Sequence, residues 1–245
     1  MIRHARCLQF ARTLYIAFTL MLMFAAAGPL IAQEVLRGEV RIDLEPVYAM
    51  EEGSPYPLDT ATAQRRALEE AALFYSAMIY GWSFDYAIGE RARGIDEDLE
   101  LSPRGRIAFG DPGLFATDAE VRDQHLCLWT DYRLSESQRR RVASWRTGLV
   151  RNVQAIGHAP LRGPEDSAEP AESPVWMQIK QAALEDAACA GIRAMLRGSE
   201  RNRPKAAQGF IALAEFPRYY LDGGQWAVSA RFRVEVTEIA GFAVY

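Results

Sequence analysis

Between Gln225 and Glu238 the chain alternates with a period of two. Trp226, Val228, Ala230, Phe232, Val234 and Val236 fall on one face, and Arg231, Arg233, Glu235 and Thr237 on the other. Successive side chains of a strand point to opposite sides. A run this long is therefore an antiparallel strand with one dry and one wet side. The dry side has to be covered. Asp222-Gly223-Gly224 is a turn signal just before it, and strand patterns at Gly209–Phe216 and Tyr219–Leu221 precede the turn. With 49% hydrophobic and 11% aromatic residues among 245, the chain carries enough apolar surface for a core and is not a disordered one.

The cover is expected from two Ala-rich helices. The first starts at an N-cap at Asp59 or Thr60 and stops at Gly81. Its apolar positions are Ala67, Leu68, Ala71, Ala72, Phe74, Tyr75, Met78 and Ile79, with Arg65, Arg66, Glu69 and Glu70 assigned to the polar face. The second runs from Pro174 to about Arg197, with Gly198 as its stop. The two share a motif, Ala67-Leu-Glu-Glu-Ala-Ala72 and Ala183-Leu-Glu-Asp-Ala-Ala188, and each precedes strand patterns. An internal repeat of helix-plus-hairpin units is one reading; good helix composition alone is the other. Residues 38–44 and Trp82–Ile88 alternate as strands, and Leu114–Val121 with His125–Leu134 reads as a hairpin around Arg122-Asp123-Gln124. Ser135 with Gln138 forms a capping box for a basic helix expected to reach about Arg151.

The fold class expected is α+β: two helix-plus-antiparallel-hairpin units that pack their helices on one face of the sheet or sheets. The first unit spans 33–156 and the second 175–245, either sharing one core or packing separately. Residues 157–174 hold four Pro and two Gly and read as the linker between them.

Residues 1–32 look like an export signal. Arg3, Arg6 and Arg12 precede a charge-free run from Leu14 to Ala27, then Gly28-Pro29, with a cleavage site expected near Ala32. The alternative is an inner-membrane anchor formed by Leu14–Ala32. Cleavage would leave 25 Lys+Arg against 32 Asp+Glu, so the net charge would fall from −4 to −7. An acidic exported product in the periplasm, with no stable membrane anchor, argues against nucleic acid as a partner.

Phosphate-binding loops, nucleophile elbows, zinc spacings and EF-hand loops are absent from the sequence, so no enzyme, cofactor or metal is expected. His125 beside Asp123 has no nucleophile to activate. Cys127 and Cys189 survive cleavage; an oxidising compartment permits a disulfide between them, and two separate buried thiols are the alternative. The aromatic corner Tyr80, Trp82, Phe84 and Tyr86 either lines a pocket for a sugar or lipid or fills core. Arg231, Arg233 and Glu235 stand on the wet face of the long strand, whose edge is the expected docking surface for a partner.

The helix of residues 183–197 and the segment Asp222-Gly-Gly-Gln-Trp-Ala-Val-Ser-Ala-Arg-Phe-Arg-Val-Glu-Val resemble the helix-plus-hairpin modules of bacterial periplasmic proteins such as the N-terminal domain of flagellar assembly protein T and related lipoprotein families. The resemblance covers the last quarter of the chain. It implies an envelope or appendage protein as partner and supplies no catalytic residues. The function expected is therefore an exported, non-catalytic, protein-binding accessory module of the envelope. The alternative is a periplasmic small-ligand binding protein using the Trp82 corner.

Overall fold

A computed structural model describes residues 34–46, 56–89, 94, 96–146, 149–161, 174–198 and 204–241. The expected export segment, 1–32, and residues 162–173 of the expected linker lie outside them. The elements in chain order are β1 (Val35–Asp43), α1 (Thr60–Ile79), β2 (Trp82–Ala87), β3 (Asp98–Pro103), β4 (Leu114–Arg122), β5 (His125–Arg133), α2 (Glu136–Ser144), β6 (Arg151–Pro160), α3 (Val175–Gly198), β7 (Ala206–Leu213), β8 (Arg218–Asp222) and β9 (Gln225–Ala240).

The fold is α+β, with all strand pairings antiparallel. A small sheet has the order β1-β5-β4; a larger one has the order β3-β2-β7-β9-β6, with β8 also on β9. The two expected halves meet within the larger sheet, because β2 pairs with β7 over Trp82–Ala87 and Ala206–Ile211. The chain from Val35 onwards makes one compact unit.

β9 keeps the dry and wet faces its alternation implied: Val228, Ala230, Phe232 and Val234 are buried, while Arg231 is exposed. Its edges are another matter. Gln225–Val234 pairs with β6 on one side, and β8 and β7 occupy the other. β9 is thus an interior strand for most of its length. The expected docking edge is closed by β6, a strand that the sequence reading did not include.

β6 also corrects two boundaries. The basic helix ends at Ser144 with Trp145 as its C-cap residue, and the buried Trp145 ring turns to α1, its Nε1 donating to the Ile79 carbonyl at 3.4 Å. Residues 157–160, read as the start of the linker, are the end of β6. Gly157 is there because of α3. A Cβ at this position would stand 2.1 Å from the Ala187 nitrogen and 2.3 Å from the Ala183 oxygen. No side chain fits such a gap, so glycine on the strand and alanine on the helix let the two backbones touch.

β8 resumes the course of β7 along β9 after an interruption. Leu213 faces Phe232 and Arg218 faces Ser229, so residues 214–217 cover a distance that β9 covers with Ala230 and Arg231. The surplus chain turns Phe216 inward. Its ring meets Phe74 at 5.1 Å and Tyr75 at 4.9 Å, and it fills the space above Gly38 of β1. Tyr75 stacks on Tyr132 of β5 at 5.5 Å and donates to the Thr130 carbonyl at 2.7 Å. Burial and the neighbouring Asp131 push its phenol up to about 12 even though the Thr130 hydrogen bond opposes the rise. An aromatic path thus ties the small sheet, through α1, to the larger one.

Candidate functional site

A cleft of about 1100 Å³ lies where α1, α3, β1 and β8 converge. Each helix supplies an i, i+4 pair to it: Arg66 and Glu70 from α1, Trp176 and Lys180 from α3. Positions four apart share a helix face. Phe74 of α1, Tyr219 of β8 and Trp226 of β9 complete the inner wall, and Tyr56, just before α1, stands at its side.

The centre of this wall is an ion pair. Lys180 Nζ lies 2.5 Å from Glu70 Oε2, with side-chain exposures of 11% and 3%. The ammonium also sits 5.1 Å from the Tyr219 ring centre and 5.5 Å from that of Trp226, within reach of a cation–π attraction. Tyr219 is fixed in turn. Its hydroxyl donates to the Lys180 carbonyl at 2.8 Å and its ring stacks on Phe74 at 5.9 Å. Burial raises the Glu70 carboxyl above its usual range despite the ammonium beside it. Burial also raises the Tyr219 phenol, with Glu70 and Glu185 adding to the rise. A second cation–aromatic group stands one helical turn away. The Arg66 guanidinium lies 5.5 Å from the rings of both Tyr56 and Trp176, and its Nη1 donates to the Tyr56 hydroxyl at 2.9 Å.

Periodicity had assigned Arg66 and Glu70 to the outer face of α1. They point inward because α1 has neighbours on more than one side, the small sheet and the large, and little of it is left to solvent. Lys180 is one of only two lysines in a chain with 28 Lys+Arg. It falls on the stripe Trp176, Lys180, Ala183, Leu184, Ala187, and a charge on an apolar stripe was the available signal.

The structure does not bring the expected aromatic corner together as a site. Trp82, Phe84 and Tyr86 are 4%, 3% and 1% exposed and belong to the core. Tyr80 is engaged: its hydroxyl accepts from Gln138 Nε2 at 2.9 Å, and the Arg141 guanidinium lies over its ring. A separate cavity of about 340 Å³ reaches Trp82, together with Leu73, Ser76, Phe109 and Met177. On the wet face of β9, Arg231 pairs with Glu215 at 3.7 Å and Arg233 donates to the Ala214 carbonyl at 3.4 Å. Glu235 is half-buried opposite Phe210.

Cys127 and Cys189 are both free. Of the two alternatives it is the separate thiols that the structure holds: Cys127 belongs to β5 of the small sheet and Cys189 to α3, the helix laid on β6 and β9. Burial raises the Cys189 thiol, which makes it a poor nucleophile. His125 Nδ1 lies 2.7 Å from the Asp123 backbone oxygen rather than from its carboxylate. Among the described residues, no three His, Cys, Asp or Glu side chains gather to hold a metal ion. No described helix is long and apolar enough to cross a membrane.

Comparison with known proteins finds an uncharacterised protein of Treponema pallidum (strain Nichols), 21% identical over 214 residues, which covers 85% of this chain and 84% of the relative. No solved structure matches. A protein-family model spans residues 28–242, and the chain belongs to that family.

Proposed function

We propose that the chain is an exported, non-catalytic binding protein of the cell envelope, and that the cleft between α1 and α3 is where it holds its ligand. One observation carries the reading: a buried ion pair framed by Tyr219 and Trp226 on the wall of an open cleft. Two charges withdrawn from water stabilise a fold little better than apolar residues of the same size. Where such a pair borders open volume, recognition is the better account of it. Ligand sites combine apolar and aromatic walls with a few placed polar groups, and this cleft has that composition. Glu70 and Lys180 are committed to each other, which favours holding a molecule over transforming it. The sequence patterns support export: a basic start, an apolar run and a small-residue cleavage site.

Native mass spectrometry of the chain recovered from the cells that make it tests both halves of the proposal. The expected spectrum shows a polypeptide beginning near Gln33 and carrying a non-covalent mass that Trp226→Ala loses. A full-length polypeptide would refute cleavage near Ala32 and with it the free exported product. A bare mass in both proteins, with no saturable binding of any added compound, would refute the binding role.

A further inference from the structure

Resting on that binding role, we infer that the ligand is an anionic amphiphile: an apolar or planar body that lies along Phe74, Trp176, Tyr219 and Trp226, with one carboxylate, sulfonate or phosphate received by Arg66. The charges of the inner cleft do not balance. Glu70 is taken by Lys180 at 2.5 Å, and the neighbouring Glu69 by Arg65 at 3.0 Å. Arg66 has no carboxylate partner among the described residues; its one hydrogen bond goes to the neutral hydroxyl of Tyr56. A guanidinium carries five N–H donors in a planar fork, so donors remain for an incoming anion. The fork is also held in place, with the rings of Tyr56 and Trp176 each 5.5 Å from its central carbon. Elsewhere on the lining Arg41 is paired with Glu39 at 2.8 Å and Arg122 with Glu120 at 3.2 Å, and Asp43, Asp123 and Arg218 stand there as well, away from the aromatic wall. The excess positive charge of the inner wall therefore sits at Arg66, next to the aromatic surface. An oriented guanidinium beside apolar walls selects a molecule that has both parts.

The test uses two dyes with nearly the same body. 1-Anilinonaphthalene-8-sulfonate carries an anion and N-phenyl-1-naphthylamine does not. Fluorescence titration of the mature chain is expected to show one saturable site that prefers the sulfonate by about tenfold. Arg66→Gln should abolish the preference, lowering sulfonate affinity about tenfold and leaving the neutral dye within about twofold. Salt offers a measurement that does not depend on the variant folding: rising ionic strength should weaken the sulfonate and spare the neutral dye. Displacement of the sulfonate by dodecanoate or by 1-naphthoate supports the inference and distinguishes an acyl from a planar ligand. Displacement by neither overturns it, as does equal displacement by inorganic sulfate. Equal affinity of the two dyes, or an equal loss of both in Arg66→Gln, overturns the anion assignment yet leaves the binding role standing if Trp226→Ala weakens both. Absence of any saturable site for either dye overturns the binding role itself.

Discussion

Two stretches of one stripe of α3 obey opposite rules. In its middle, laid against β6, Ala183 and Ala187 are fully buried, and the helix backbone rests on Gly157 with no side chain between them. On its first turns, Trp176 and Lys180 line a cleft of about 1100 Å³. Small residues bring backbones together and leave nothing for a ligand to enter. Large residues hold elements apart, and the space that remains is bounded by side chains with chemistry of their own. One helix thus joins a closed seam to an open site.

The seam is the place to expect the largest effect of a single substitution. Gly157→Val should abolish the cooperative unfolding transition in urea, since its side chain has to push α3 off β6, and overpacking costs of about 3 kcal/mol or more are expected where backbone must shift. A stable, cooperative Gly157→Val protein would show that the seam is loose and that the contrast between the two stretches is overstated.

On the open side, Lys180→Met alone strands the Glu70 carboxylate and should cost about 3–5 kcal/mol by urea denaturation. Glu70→Leu combined with Lys180→Met should restore stability to within about 1 kcal/mol of the parent or better, while weakening ligand binding. If the double variant is as unstable as the single one, the pair is a structural support and the cleft loses its special standing. The same pair sets a pH dependence. Burial raises the Glu70 carboxyl above its ordinary 4.5, with Lys180 working against the rise. The folded chain then keeps this proton to higher pH than the unfolded chain does. The contribution of Glu70 to stability is therefore fullest below about pH 4.5 and is lost as the pH rises through the raised value. Comparing unfolding midpoints across that range in the parent and the double variant isolates it, and the double variant should lack this component.

A control remote from both the seam and the cleft has the smallest effect. Ser135 and Gln138 form a reciprocal capping box at the start of α2. Ser135→Ala should cost about 1 kcal/mol and leave dye binding in the cleft unchanged. A change in binding would mean that α2 communicates with the cleft and that the two stretches of α3 do not describe the site fully.

The dry seam was largely legible in the sequence. Period-two alternation marks β9, and the shared Ala-Leu-Glu-x-Ala-Ala motif marks helix faces that are buried: Ala67, Ala71, Ala183 and Ala187 are all at 0% exposure. Glycine and proline were harder to read. Gly157 and Pro160 look like chain breakers, yet Gly157 is needed inside a strand because a helix backbone lies on it. A local pattern records φ and ψ preferences, and close approach by a distant element leaves no local trace. The open site was legible least. Glu70 adjoins Glu69 on the helical wheel, and only the packing of α1 against a second sheet turns one inward and leaves the other nearer solvent. The Trp82 corner misled for the converse reason. Aromatic residues signal burial, and whether burial encloses a cavity or a filled core depends on what lies opposite them. β9's edges are likewise a property of β6 and β8 rather than of β9.

The interruption between β7 and β8 has one more consequence, which concerns tolerance to insertions and deletions. Surface connections usually accept a change in length. Residues 214–217 are a different case, because their number sets the phase of everything after them as far as the Asp222–Gln225 turn. Losing one residue would reverse the facing of β8, sending Tyr219 to the wet side and Tyr220 to the dry. The stacking on Phe74, the hydroxyl bond to Lys180 and one wall of the cleft would vanish together. The site thus depends on a residue count in the segment that leads into β8. Homologues that differ in length there should differ in what they bind.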